Sequence, residues 1–350
     1  MSGSDVSGRH ARTRVAVVLS ACLTAALGAC STGPDPIGRG PWRGVPLVVA
    51  AAEPGEPYVQ MVDAVASRGA AVWLEADLVK AARSGPDRLE AVTGQLIALA
   101  AHRGVVGVKL ADELGYEDGV DAVTGEEILA GAAERLRKAH PGLTVGVDVV
   151  VPELGCLSWR PKPAATATAC GERVRAKDPG ATLGAVDALV RSGSVDTLLL
   201  SAGLSDPGYY ASMGLSVDDA MTLCWTEAAR RWGPYVTLVA RKALAHPGAY
   251  DGSTADAEAA MTTYVDIPLA HGADGVDIWA WRQRFDGDVR RLWDPGLRPN
   301  ALVTAMTTRH TKGANLWTQM SPTSMEVDLG TDVSTALTTF DTILVASGTG

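Results

Sequence analysis

Asp112 and Glu113 stand where a strand-like run, Val105-Val106-Gly107-Val108-Lys109-Leu110-Ala111, gives way to Leu114-Gly115-Tyr116. Adjacent carboxylates at the carboxyl end of a parallel strand are placed for acid–base chemistry. α/β barrels build their active sites at that end, and crowding pushes neighbouring carboxyls to different pKa values. Alternation along the run turns Val106, Val108 and Leu110 toward surrounding helices, and Gly107, Lys109, Ala111 and Glu113 toward a barrel interior. A lysine has no packing reason to face that interior, so Lys109 and Glu113 are expected to share one cavity. The plainer alternative is that Asp112 opens a loop and Glu113 is a solvated residue paired with Lys109.

The same alternation collects further polar groups on the inside. Val72 and Leu74 point outward, which leaves Trp73, Glu75 and Asp77 inward or at the rim. Val145, Val147 and Val149 face helices and place Asp148 within, near the top. Arg241 ends its strand in the inward register. Val276 and Ile278 point outward, so Asp277, Trp279 and Trp281 line the cavity. Alone, an inward Asp148 or Asp277 reads as a structural group. Carboxylates drawn from several strands exceed the two bases, Lys109 and Arg241, and burying unpaired acids is costly, so the set reads as a ligand site. Trp279 and Trp281 are either core residues or platforms for a sugar ring, whose C–H face packs on an aromatic surface.

The elements that must position these residues alternate strand and helix from residue 45 onward. Strands are expected at 46–52, 71–76, 105–111, 143–151, 195–201, 235–240 and 275–281, with an eighth at 314–318. Helices are expected at 58–67, 87–101, 125–139, 184–191, 217–231, 255–271 and 300–308. Regular alternation argues a parallel sheet, and seven or eight units in one domain argue a closed (β/α)₈ TIM barrel, class α/β, over residues 45–320. Residues 321–350 read as a C-terminal extension, either a small strand pair (324–329 with 342–346) or partly disordered chain. Residues 50–58 carry neither G-x-G-x-x-G nor G-K-[ST], so no nucleotide cofactor is expected. Six histidines without an H-E-x-x-H arrangement argue against a zinc site, and G-x-S-x-G is missing. No cofactor and no metal are expected.

The N-terminus reads as an export signal. Arg9, Arg12 and Arg14 precede an apolar run over 15–27 that ends in Leu27-Gly28-Ala29-Cys30. That tetrapeptide resembles the lipobox of bacterial lipoproteins, which implies cleavage after residue 29 and a lipid on Cys30. Residues 1–29 would be the signal peptide and 30–44 a tether. The protein would sit on the outer face of the cell membrane, anchored by acyl chains that contribute about 0.8 kcal/mol per buried methylene. An ordinary secretory signal with an incidental cysteine is the alternative. Loss of residues 1–29 moves the net charge from −9 to about −11, and no basic stripe exists to neutralise phosphates, which excludes a nucleic-acid partner. Cys156 and Cys170 bracket a Pro- and Ala-rich loop and are expected to form a disulfide, while Cys224 reads as a buried free thiol.

Val-Lys-Leu-Ala-Asp112-Glu113-Leu-Gly, taken with Gly275-Val-Asp-Ile-Trp279-Ala-Trp281, resembles the retaining glycoside hydrolases with TIM-barrel catalytic domains. The adjacent Asp-Glu pair is similar to that of β-N-acetylhexosaminidase-type enzymes. The resemblance covers the architecture and these two stretches. It departs in position, because the pair follows the third strand of the count above, where those families place it after the fourth. It implies a carbohydrate substrate, Glu113 as general acid, and Asp112 stabilising an oxocarbenium-like transition state or orienting an acetamido group. Asp148 and Asp277 are then reserve nucleophiles and Glu75 a hydroxyl ligand. Two other readings stand beside it. One is a non-catalytic sugar-binding lipoprotein, favoured by Lys109, which would lower the pKa of Glu113. The other is a lyase or aldolase with Lys109 as Schiff base.

Overall fold

The computed structural model describes residues 56–116, 122–285 and 287–346. The signal, Cys30, the tether and the strand expected at 46–52 lie outside the described residues. Strands β1 (Ala71–Glu75), β2 (Val105–Lys109), β3 (Thr144–Val150), β4 (Thr197–Ser201), β5 (Thr237–Ala243), β7 (Gly275–Trp279), β10 (Leu316–Met320) and β11 (Thr342–Ala346) close into a barrel. Every neighbouring pair is parallel, and β11 returns to β1 through Ala71↔Thr342 to Glu75↔Ala346. Three further strands, β6 (His246–Pro247), β8 (Arg282–Phe285) and β9 (Asp288–Arg291), form a separate antiparallel sheet.

The expected (β/α)₈ barrel is therefore present, with a different membership. Its eight strands all lie among the described residues. The strand expected at 314–318 is β10, the seventh in the wall, and the eighth is β11, inside the stretch expected to be an extension. Residues 324–327 form no strand, and the last helix and β11 belong to the barrel. The physical reason is closure. Seven strands leave two open edges, and the apolar run Thr342-Ile-Leu-Val-Ala346 satisfies both the β1 and the β10 edge.

The helices are α1 (Glu56–Ala66), α2 (Leu78–Arg83), α3 (Pro86–Ala100), α4 (Ala122–Ala139), α5 (Pro152–Cys156), α6 (Ala165–Lys177), α7 (Leu183–Ser192), α8 (Pro207–Ala211), α9 (Val217–Trp232), α10 (Thr254–Met261), α11 (Ile267–Ala270), α12 (Ala301–Thr311) and α13 (Leu329–Ala336). Their starts follow from side-chain caps. Ser216 with Asp219 and Ser253 with Asp256 make capping boxes for α9 and α10, and Asn300 and Asp328 accept the orphan amides of α12 and α13. The helix expected over 255–271 is interrupted by a π turn, Thr262–Asp266, just before Pro268, which has no N–H to continue an α ladder. A disulfide joins Cys156 and Cys170, tying α5 to α6, and Cys224 is a buried free thiol.

Two layers of apolar contact hold the barrel. Outward-facing strand residues such as Val72, Leu74, Val108, Val145, Val276 and Ile278 pack with the helices in the main core. Inside the wall, Trp73, Leu199, Val239, Trp317 and Leu344 form a smaller cluster. The rings of Trp73 and Trp317 lie 5.1 Å apart. They fit because β2 and β3 present Gly107 and Gly146 at that height. A Cβ on Gly107 would fall 2.5 Å from Trp73 Cε2, and one on Gly146 would fall 2.8 Å from Trp73 Cζ3.

That crowding makes a direct test of the interior packing. Gly107→Ala should destabilise the protein by about 1–3 kcal/mol, the cost of overpacking a rigid ring. Gly94→Ala, in α3 with nothing near its Cβ, should instead stabilise it by up to about 1 kcal/mol. Urea denaturation of the two variants checks both signs. Equal midpoints would show that the Trp73 ring yields freely.

Candidate functional site

One pair of residues beyond the aromatic tier, every barrel strand presents its next inward position. These are Glu75 on β1, Lys109 on β2, Asp148 on β3, Ser201 on β4, Arg241 on β5, Asp277 on β7, Gln319 on β10 and Ala346 on β11. All lie toward the carboxyl ends of the strands, where barrel enzymes work. Glu75, Lys109, Asp148, Arg241, Asp277 and Gln319 are all buried. The β2–α4 loop adds two more carboxylates, Asp112 and Glu113. It is fastened to β3 by Leu110 N–H to the Gly146 carbonyl, Asp148 N–H to the Ala111 carbonyl and Leu114 N–H to the Asp148 carbonyl. Glu113 holds a left-handed φ of 49°, a conformation that costs a non-glycine residue about 1 kcal/mol or more and gathers at functional sites.

Lys109 and Arg241 hold the layer together. The Lys109 ammonium lies 2.7 Å from Glu75 Oε1, 3.3 Å from Asp112 Oδ1 and 3.8 Å from Asp148 Oδ2. Arg241 contacts Asp148 Oδ2 closely, lies 3.1 Å from Asp112 Oδ1, 3.5 Å from Glu113 Oε1 and 3.7 Å from Asp277 Oδ2. Asp112 is thus shared by both bases, and Glu113 shares the cavity with Lys109 as expected, its contact being to Arg241.

Five carboxyls against two bases cannot all stay ionised out of water, and their pKa values divide accordingly. Burial pushes Glu75 up to about 7, against the pull of Lys109 and with the help of the Asp112 charge. Burial likewise raises Asp148 well above the carboxylate range, and Asp277 above it, Arg241 opposing in both. Asp112 goes the other way. Burial favours its neutral form, but Lys109, Arg241 and hydrogen bonding with Asp148 hold it below the usual value. Burial would discharge Lys109 too, yet Glu75 and Asp112 keep its amine protonated and raise its pKa. A Schiff-base lysine needs a depressed pKa and a free lone pair, so the geometry removes Lys109 as a nucleophile.

Of the residues expected inward or at the rim, Asp77 stays at the rim and Trp281 lies elsewhere. Asp77 caps α2, its carboxylate accepting the Lys80 N–H at 3.0 Å, because it lies past the end of β1 where alternation no longer applies. Trp281 also follows its strand. It donates to Asp332 at 2.8 Å and packs on Trp293 with ring centroids 4.5 Å apart, so it is a core residue. Trp279 keeps the inward register of β7, but its ring is covered by β8, donating to Gln283 at 3.1 Å and meeting Phe285 edge-on at 5.6 Å. Sequence reasoning missed Gln319. The signal was there in Trp317-Thr318-Gln319, the same inward spacing applied to a strand whose boundary was set one residue short.

Among the described residues no group of three or more His, Cys, Asp or Glu is arranged to hold a metal ion, and no helix is long and apolar enough to cross a membrane. A depression among α10, α11 and α12, lined by Glu258, Asp266 and Arg309, lies on the helical face, and its charges pair with one another at 2.6 and 3.0 Å.

No known family's sequence model matches the chain, and no curated protein matches it. Solved structures align with the chain at low similarity. A psychrophilic glycoside hydrolase family 10 endo-β-1,4-xylanase aligns at 10% identity and a TM-score of 0.44 over 81% of this chain and 88% of its own. A thermostable mutant of a xylanase from Cellvibrio japonicus aligns at 15% identity and 0.40 over 67% and 75%. A 2,3-dimethylmalate lyase of the PEP mutase/isocitrate lyase superfamily aligns at 11% identity and 0.35 over 83% and 80%. At these TM-scores the likenesses carry no argument, and no residue role is carried across from them.

The Glu75 shift has a consequence for stability. A carboxyl whose folded pKa exceeds its unfolded value binds more protons when folded, so its contribution is present at low pH and is lost as pH rises from 4.5 through about 7. Glu75→Gln should therefore gain on the parent across that window and run parallel above it. Unfolding free energies measured from pH 4 to 8 decide the matter. Curves parallel throughout would mean that Glu75 titrates no differently in the folded chain.

Proposed function

We propose that the carboxyl-terminal end of the barrel is a carbohydrate site and that the protein hydrolyses glycosidic bonds there. The observation that carries this reading is the convergence of Glu75, Asp112, Glu113, Asp148 and Asp277 on Lys109 and Arg241 in one buried layer. Glycoside hydrolysis needs one carboxyl that carries a proton beside another that stays charged, and this layer holds both kinds. Glu113 serves as general acid, since its loop lies beyond the strand end where a leaving oxygen arrives. Asp112, held ionised by both bases, stabilises positive charge on the sugar. Glu75, protonated up to about pH 7, is the reserve donor.

One contact favours a second reading, a sugar-binding barrel without catalysis. Arg241 lies 3.5 Å from Glu113 Oε1 and favours the charged form of a residue assigned to give up a proton. We also propose that the chain is exported and lipid-anchored through Cys30. The Cys156–Cys170 disulfide supports export, because such bonds persist in oxidising compartments.

Two experiments test these readings. On aryl glycosides with poor leaving groups, Glu113→Gln should lose about 10²-fold or more in rate, and less on activated leaving groups. Unchanged rates on every hydrolysed substrate would transfer the role to Glu75, whose Gln variant is assayed in parallel. A parent that binds glycans and hydrolyses none would establish the second reading. Cys30→Ala should move the protein from the membrane fraction to the medium or leave it uncleaved. Identical partitioning, with no lipid found by mass spectrometry, would remove the anchor.

A further inference from the structure

Two side chains stand at the edge of the layer's ion pairing, Gln319 taking no part in it and Asp277 reaching only Arg241. Gln319 is 1% exposed, and neither its amide nitrogen nor its amide oxygen has a hydrogen-bond partner. Asp277 is fully buried, and neither of its oxygens has one, its contact with Arg241 Nε lying at 3.7 Å. They stand on adjacent strands, since Asp277 pairs in register with Trp317, two residues before Gln319. Both face inward. Leu316 and Met320 pack outward with the helices, and Trp317 belongs to the interior aromatic tier. Beside Gln319, β11 presents only the methyl of Ala346 at its inward position.

Buried polar groups in folded proteins are almost always partnered, and those that are not need a reason. A primary amide offers donors and an acceptor side by side, and a carboxyl offers acceptors. Together they match adjacent hydroxyls, each of which donates and accepts. Below them the rings of Trp73 and Trp317 close the barrel, and on the β7 side Trp279 and Phe285 wall it. A ligand therefore reaches the layer from the carboxyl-terminal face of the barrel.

We infer that Gln319 and Asp277 form a hydroxyl-binding subsite for one sugar residue of a glycan. The inference rests on the carbohydrate reading above and names the pair that would hold a sugar's hydroxyls. Gln319 is a positioning residue, acting on the sugar's orientation and not on the bond broken.

Calorimetric titration of methyl β-xyloside and methyl β-glucoside, with thermal unfolding of the ligand-free protein, tests it. The parent should bind at least one of the two. Gln319→Leu should weaken that binding tenfold or more and, by removing an unpartnered amide, raise the melting temperature of the free protein. Gln319→Met, of the same length, should behave alike and serves if the leucine variant misfolds. No binding by the parent, unchanged binding by both variants, or a lowered melting temperature in both would overturn the subsite, the last because it would show the amide already partnered. Binding is read without turnover. A parent that binds but hydrolyses nothing keeps the subsite and removes catalysis, whereas hydrolysis unaffected by Gln319→Met keeps catalysis and removes the subsite.

Discussion

The structure turns on a shortage of positive charge inside the barrel. Five carboxyl groups share one ammonium and one guanidinium, and burial makes every unpaired negative charge expensive. Protons must supply the remainder. That is why Asp112, in contact with both bases, stays ionised while Glu75, Asp148 and Asp277 are driven toward their neutral forms. A barrel interior filled with branched aliphatics would be safer for folding. Retaining this layer makes sense for a protein that moves protons or grips a polar ligand.

The layer depends on the tier beneath it. Trp73 and Trp317 fill the lower interior, and the small residues at Gly107 and Gly146 accept their rings, which sets the height at which the next inward side chains begin. Lys109 follows Gly107 by two residues and Asp148 follows Gly146 by two. Small residues below and long charged ones above are thus one pattern, packing the aromatic floor and aiming the charges over it. The β2–α4 loop completes the set from outside the wall, held on β3 by three backbone hydrogen bonds so that both Asp112 and Glu113 reach Arg241.

Strand alternation was legible wherever a residue lay within a regular strand. Glu75, Lys109, Asp148, Arg241 and Asp277 are inward by a period of two that the flanking valines and leucines make plain. It failed past strand ends. Asp77 became a helix cap and Trp281 a partner of Asp332, because beyond the last ladder bond the chain obeys turn geometry. Asp112 and Glu113 both join the cluster although they are neighbours, which no alternation permits. The left-handed φ of Glu113 allows it.

The sequence by itself determined the repeating strand and helix, the class of barrel and the charged residues that face inward, since periodicity is local and survives in a list of residues. It could not determine which run of apolar residues closes the wall. Thr342–Ala346 is the eighth strand because it meets the free edges of both β1 and β10, a condition joining residues far apart in the chain. Nor could it tell that Lys109 is locked by three carboxyls or that Asp112 is held ionised while Glu75, Asp148 and Asp277 are pushed toward their neutral forms. Those outcomes depend on distances across the barrel and on the exclusion of water. Only the closed tertiary structure creates either.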